Sequence, residues 1–209
     1  MHDVKHTGPY RLSFSAASLR PELARIIAEA YLSCGDWDET KEKVLKDNAL
    51  QARSTASAVR MEREIRQRIQ TLTPQQIELL ALGSTDSRHA MAWLAALKHI
   101  EFIYTFAAQT LRAKIEILDF TLRPSDYEDF IASQSILHPE LASLKPSTQD
   151  KVRRVSMTML REAGILSDKQ QGFDITRPFL PTDAQDVIIA DNRYWLAGFL
   201  VPDEEIRTL

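Results

Sequence analysis

One cysteine, six glycines and no uncharged apolar run of eighteen residues set the first limits on this 209-residue chain. With Cys34 alone, an intramolecular disulfide framework and a multi-cysteine zinc site are both excluded. Cys34 reads instead as a partly buried small residue at a helix end, with nothing nearby in sequence to activate a thiolate. The glycines, at 8, 35, 83, 164, 172 and 198, form neither a phosphate-cradling loop nor a dinucleotide fingerprint. Histidines at 2, 6, 89, 99 and 138 show no metal-ligand spacing. Without a long apolar run no membrane span is expected, and MHDVKHTGPYRLSF lacks the apolar centre of a secretory signal, so the cytoplasm is the expected compartment. Asp126, Glu128 and Asp129 form an acidic group, but in the first turn of a helix they complement its dipole. No catalytic constellation, cofactor or metal is therefore expected, and an enzyme is the least favoured class.

What is present is apolar content and locally sorted charge. Hydrophobic residues make up 44% of the chain, enough to bury a sizeable core in one large domain or two small ones. The formal net charge is −3, so any anion must be bound by local patches. Arginines 53, 60, 63, 66 and 68 face only Glu62 and Glu64 within residues 53–68. Residues 145–161 hold five basic side chains against Asp150, while acid collects in DWDETKEKVLKD and VPDEEI.

Almost every long segment has helical period. Leu19, Leu23, Ile26, Ile27, Ala30 and Tyr31 predict one helix, with Pro21 in its first turn. A short helix follows from Asp36, a third runs from Arg53 to about Leu72, and Thr73-Pro74 opens a fourth that Gly83 ends. Residues 86–118 predict one long helix, apolar around most of its circumference and so surrounded by others. Breaks at Arg123-Pro124, His138-Pro139 and Lys145-Pro146 separate the next helices. After Gly164, a polar turn with Gly172 and alternating Phe173 and Ile175 predict a small hairpin. The tail from Pro202 is expected to be loose. The fold class is therefore all-α with helix-turn-helix-like elements and a small C-terminal β-hairpin wing. It divides into an N-terminal helical region at 1–83, a central buried helix at 84–123 and a winged-helix-like region at 124–209.

The stretch STQDKVRRVSMTMLREAGIL, residues 147–166, poses the functional question. Ser147 with Asp150 resembles a capping box, which would start a helix at about Thr148. Val152, Val155, Met159 and Ala163 fall on an inward face; Lys151, Arg154, Thr158 and Arg161 fall on an outward one. A helix, a short helical piece, this basic helix and a hairpin follow the plan of a winged helix-turn-helix, whose last helix enters the major groove. Thr148, Gln149 and Lys151 would then touch base edges, with Arg153, Arg154 and Lys169 on phosphates. The competing reading is an ordinary amphipathic helix with a solvated basic face.

The same logic appears upstream. A short helix from Asp36 to Lys46, the turn DNALQA and a longer helix from about Ser54 bring small hydroxyls, Ser54 and Ser57, to a helix entrance. A phosphate could approach closely there. Ala58, Met61, Ile65, Ile69 and Leu72 share one side; Arg53, Arg60, Arg63 and Arg66 spread over the other with Ser57. Surface i,i+4 pairing of Glu62 with Arg66 and Glu64 with Arg68 is the alternative for those two arginines, whereas Arg53 and Arg60 lack an acid at that spacing. Lys98-His99, on the central helix, could offer a phosphate ligand or be satisfied internally.

SFSAASLRPELARIIAEAYL, DNALQARSTASAVRMEREIRQRI, AALKHIEFIYTFAAQTLR and REAGIL, in this order and spacing, resemble the BrxA family of BREX bacteriophage-defence systems, from about Ser13 to about Val201. The chain departs from that family at Ala17-Ser18, where members often show Gly-Gly. The resemblance implies a small, helical cytoplasmic protein that binds duplex DNA beside a methyltransferase, a large ATPase and a phosphatase-like partner. It carries over the segment Leu50–Ser54 and the pair Lys98-His99, and no enzymatic residue. Two other readings stay open: an adaptor whose basic faces grip acidic proteins of the same system, and an RNA-binding helical protein of the antitermination sort.

Overall fold

The structure, a computed structural model, describes residues 8–10, 12, 14, 17–46, 48–170 and 172–209. His2 and His6 lie outside the described residues. Four helices open the chain: α1 (Pro21–Cys34), α2 (Trp37–Lys46), α3 (Thr55–Ile69) and α4 (Pro74–Leu82). Their boundaries follow local chemistry. Gly35 takes the left-handed conformation that ends α1, and the Asp36 carboxylate accepts from the N–H groups of Asp38 and Glu39 to start α2. Thr73 and Gln76 close a reciprocal capping box at α4.

The expected central helix exists but is broken. It runs as α5 (Thr85–His99), α6 (Glu101–Thr105), a π turn at Phe106–Leu111 and α7 (Arg112–Glu116). Every residue from Ala90 to Leu97 is buried, as an all-round apolar helix requires. At Ile100 the backbone leaves helical geometry (φ −118°, ψ 87°), and its carbonyl restarts the helix by accepting from Ile103 and Tyr104. In the π turn, the Arg112 N–H reaches back five residues to Ala107. Neither proline nor glycine stands at either break, so periodicity alone continued the helix through them.

Beyond the centre come β1 (Thr121–Leu122), α8 (Pro124–Ser135), α9 (Pro139–Ala142), α10 (Pro146–Glu162), β2 (Leu166–Asp168) and β3 (Phe173–Ile175). The expected hairpin is present, but it belongs to a three-stranded antiparallel sheet of order β1-β3-β2, with Leu122 opposite Phe173 and Leu166 opposite Ile175. Strand β1 is two residues long and gives no alternation to read. Gly172 turns the hairpin at φ 99°, and a Cβ there would lie 2.4 Å from the Leu122 carbonyl oxygen. The chain closes with α11 (Thr182–Asn192), a 3₁₀ segment at Arg193–Phe199 and α12 (Asp203–Thr208). The loose tail expected from Pro202 is thus corrected. Ile206 is buried, Arg112 holds Asp203 at 2.5 Å, and Arg177 holds Glu205 at 2.6 Å. The fold is mainly helical with a small β wing, packed around Trp93, Phe102, Phe106 and Phe199.

Candidate nucleic-acid interface

Helix α3 is capped by Ser54, whose backbone is extended and whose hydroxyl accepts from the Ser57 N–H at 3.3 Å. The same hydroxyl donates to Ser57 Oγ at 3.0 Å, so the two serines are partly spent on each other. No acidic residue sits in this first turn, which leaves the positive end of the helix dipole uncompensated there. Arg53, Ser54, Ser57, Arg60 and Arg63 are all exposed. Among the described residues no ion pair engages the three arginines.

The next two arginines are different. Arg66 binds Glu62 at 2.6 Å and Arg68 binds Glu64 at 3.1 Å, the expected i,i+4 pairs. Their setting corrects the expectation of a surface helix, because Glu62, Glu64 and Arg68 are buried. Arg68 points inward and donates to the carbonyls of Ser18 at 2.7 Å and Ala17 at 2.8 Å. Burial pulls its pKa down while Glu64 pulls it up, and an arginine stays charged under that pressure. At Ala17-Ser18 the close approach is made by this guanidinium to the backbone.

Helix α10 starts at Pro146, with Lys145 before it and no side-chain cap, so the box expected from Ser147 is not formed. Proline at the first helical position needs none for its missing N–H. Inward go Val152, Ser156, Met159 and Leu160. Lys151 and Arg154 are exposed, and among the described residues no ion pair engages them. Thr148 is half-buried. Gln149 folds back to donate to the Leu144 carbonyl at 3.2 Å. Arg153 is also half-buried, its guanidinium 5.5 Å from the centre of the Tyr127 ring. Burial raises the Tyr127 pKa and the Arg153 charge opposes that. Lys169, offered as a phosphate contact, is paired with Asp174 at 2.7 Å on the wing. Arg161 binds Asp168 at 2.8 Å and lies over Phe173, tying α10 to the wing.

The start of α3 and the last turn of α10 border one groove, to which α10 contributes Glu162. Arg20, Leu23, Leu50, Gln51, Arg53, Ser57, Met61 and Glu162 line a space of about 660 Å³ between the starts of α1 and α3 and the last turn of α10. Glu162 accepts from Ser18 Oγ at 2.9 Å and from the Leu19 N–H at 2.6 Å. Residues 17–19 therefore form a strap, gripped by Arg68 of α3 on one side and by Glu162 of α10 on the other. Arg20, at the end of the strap, is exposed and left-handed (φ 51°). Sequence reading passed over Arg20 and Glu162. Neither lies in a basic run, and only the fold brings them beside Arg53.

Lys98 is answered internally. It pairs with Asp191 at 2.7 Å and donates to Gln76 Oε1 at 2.9 Å, so its phosphate-ligand reading is withdrawn. Among the described residues no group of three His, Cys, Asp or Glu side chains could hold a metal ion, and no helix is long and apolar enough to cross a membrane.

Comparison with known proteins places this arrangement in a lineage. The BrxA family model matches residues 8–192. The chain belongs to the BrxA family. It is 29% identical to the BREX protein BrxA of Escherichia coli O9:H4 (strain HS), over 79% of this chain and 77% of that one. To the BREX protein BrxA of Paramagnetospirillum magneticum it is 24% identical, over 77% of this chain and 81% of the relative. A crystal structure of an uncharacterized protein from Magnetospirillum magneticum superposes with a TM-score of 0.80 at 19% identity, covering 92% of this chain and 98% of the other. At that identity the likeness speaks to the fold, and this BrxA-family chain shares it over nearly its full length.

Proposed function

We propose that this BrxA-family chain is a DNA-binding accessory protein of a BREX phage-defence system, acting by binding rather than by catalysis. Its relatives carry the name BREX protein BrxA, which supports the defence role. One observation carries the DNA reading. While Arg66, Arg68, Lys98, Arg112 and Lys114 are committed to carboxylates, Arg53, Arg60 and Arg63 on α3 and Lys151 and Arg154 on α10 face outward without an ion pair among the described residues. A cation left in solvent gains from a phosphate what the paired ones already gain from the protein. The order β1, α8, α9, α10, β2, β3 also supports a winged helix-turn-helix, with α10 as the helix offered to the major groove. Lys151 would reach base edges there and Arg154 the backbone; Thr148 and Gln149 at its entrance are less available than their positions suggest.

Log affinity for duplex DNA should fall with log salt by roughly 0.9 per phosphate contact. Arg53→Ala with Arg60→Ala, or Lys151→Ala with Arg154→Ala, should each lower that slope by about two contacts in fluorescence-anisotropy titrations at several salt concentrations. Unchanged affinity in both double variants rules the assignment out. An adaptor role has one observation behind it, the exposed apolar run Ile117, Leu118 and Phe120 beside the wing. Co-purification with other components of the system, without any shift of DNA, would favour that role. A preference for structured RNA over duplex DNA would favour the antitermination-like alternative.

A further inference from the structure

We infer that Arg20 is a further DNA contact, and that it joins the basic faces of α3 and α10 into one track engaged by a single duplex. This inference rests on the DNA reading above. At 100° per residue, Lys151, Thr158 and Glu162 fall within about 40° of one another on α10, with Arg154 about 80° from Glu162. The outward basic stripe of α10 therefore runs towards the groove that Glu162 lines. Arg53 and Ser57 at the start of α3 line the same groove, and so does Arg20 at the end of the strap. From Lys151 to Glu162 is eleven residues, about 16 Å at 1.5 Å each. That is about five base-pair steps of 3.4 Å, less than one turn of duplex.

Two features hold Arg20 in this position. The Glu162 and Arg68 side chains fix the strap immediately before it, and Pro21 starts α1 immediately after it. The residue in between is left-handed, a conformation that glycine adopts freely and arginine does not. Its charge has no ion pair among the described residues, while the groove's two acids are occupied. Glu22 binds Arg25 at 3.0 Å, and Glu162 holds the strap. The groove therefore carries two guanidiniums, Arg20 and Arg53, that no ion pair engages among the described residues, beside two carboxylates already held by protein donors.

Arg20→Gly separates binding from folding. It removes the charge and relieves the left-handed backbone, so the variant should melt no lower than the parent protein. Its salt slope on a duplex of about 20 base pairs should nevertheless drop by roughly one contact. Arg20→Lys should keep the slope. Saturating titration should give one duplex per chain, with Arg53→Ala and Lys151→Ala both weakening that one event. If the α3 and α10 double variants lose affinity but Arg20→Gly keeps the full slope, or if each chain takes two duplexes, the inference is wrong and the DNA reading survives. If neither double variant loses affinity, the DNA reading falls and the inference falls with it.

Discussion

Lys98 shows how little a residue's type says about its use. Nearly buried on α5, it pairs with Asp191 on α11 and donates to Gln76 on α4 and to the Thr71 carbonyl. Lys98→Met would leave those acceptors without their donor. Stability should fall by about 1–3 kcal/mol in urea unfolding, with DNA affinity unchanged. Gly172 is constrained by space as well as backbone. The 2.4 Å approach of an added Cβ to Leu122 O means that Gly172→Ala must push β1 from the wing. The loss should be about 1–3 kcal/mol, with weaker amide protection at Thr121–Leu122. Spacing made the Glu62–Arg66 and Glu64–Arg68 pairs legible. Their burial was not, because Arg68 is covered by a strap fifty residues away in sequence.

Elements were legible where caps and prolines punctuate the chain, and opaque where tertiary packing alone decides. Pro21, Pro74, Pro124, Pro139 and Pro146 each open a helix. Ile100 breaks one without any local mark, and the two-residue β1 exists only because β3 pairs with it. Helix α12 carries a pH prediction. The hydrogen bond from Arg177 holds the Glu205 carboxyl below its usual range, with burial opposing it. A depressed carboxylate pKa contributes stability above the unfolded value and loses it as pH falls through the folded one. Amide protection across Asp203–Thr208 should therefore fall on acidification below the ordinary carboxylate range. Arg177→Ala should lower it already at neutral pH and blunt the acid dependence.

Across the whole molecule, distant parts of the chain are stitched together by single polar contacts. Tyr10 donates to Gln134, Leu19 to Glu162, Gln76 to the Val187 carbonyl and Trp93 to the Gly198 carbonyl. Such links make early and late segments share one fate on unfolding. Glu162→Ala should cost about 1–3 kcal/mol while leaving a single transition when helicity and tryptophan fluorescence are followed together. Glu162→Gln keeps a carbonyl acceptor and should cost less. The basic faces were legible as outward helix stripes. That the start of α3 and the last turn of α10 share one groove was not, since this depends on the strap held by Arg68 and Glu162.

Strand β1 has a consequence for anyone dividing this protein into pieces. A fragment starting at Pro124 would retain both arms of the hairpin yet leave the Thr121 side of Phe173–Ile175 open, with unpaired backbone donors and acceptors beside an apolar ring. Such a piece would be expected to stick to copies of itself through that bare margin. Including four more residues upstream should keep it dispersed.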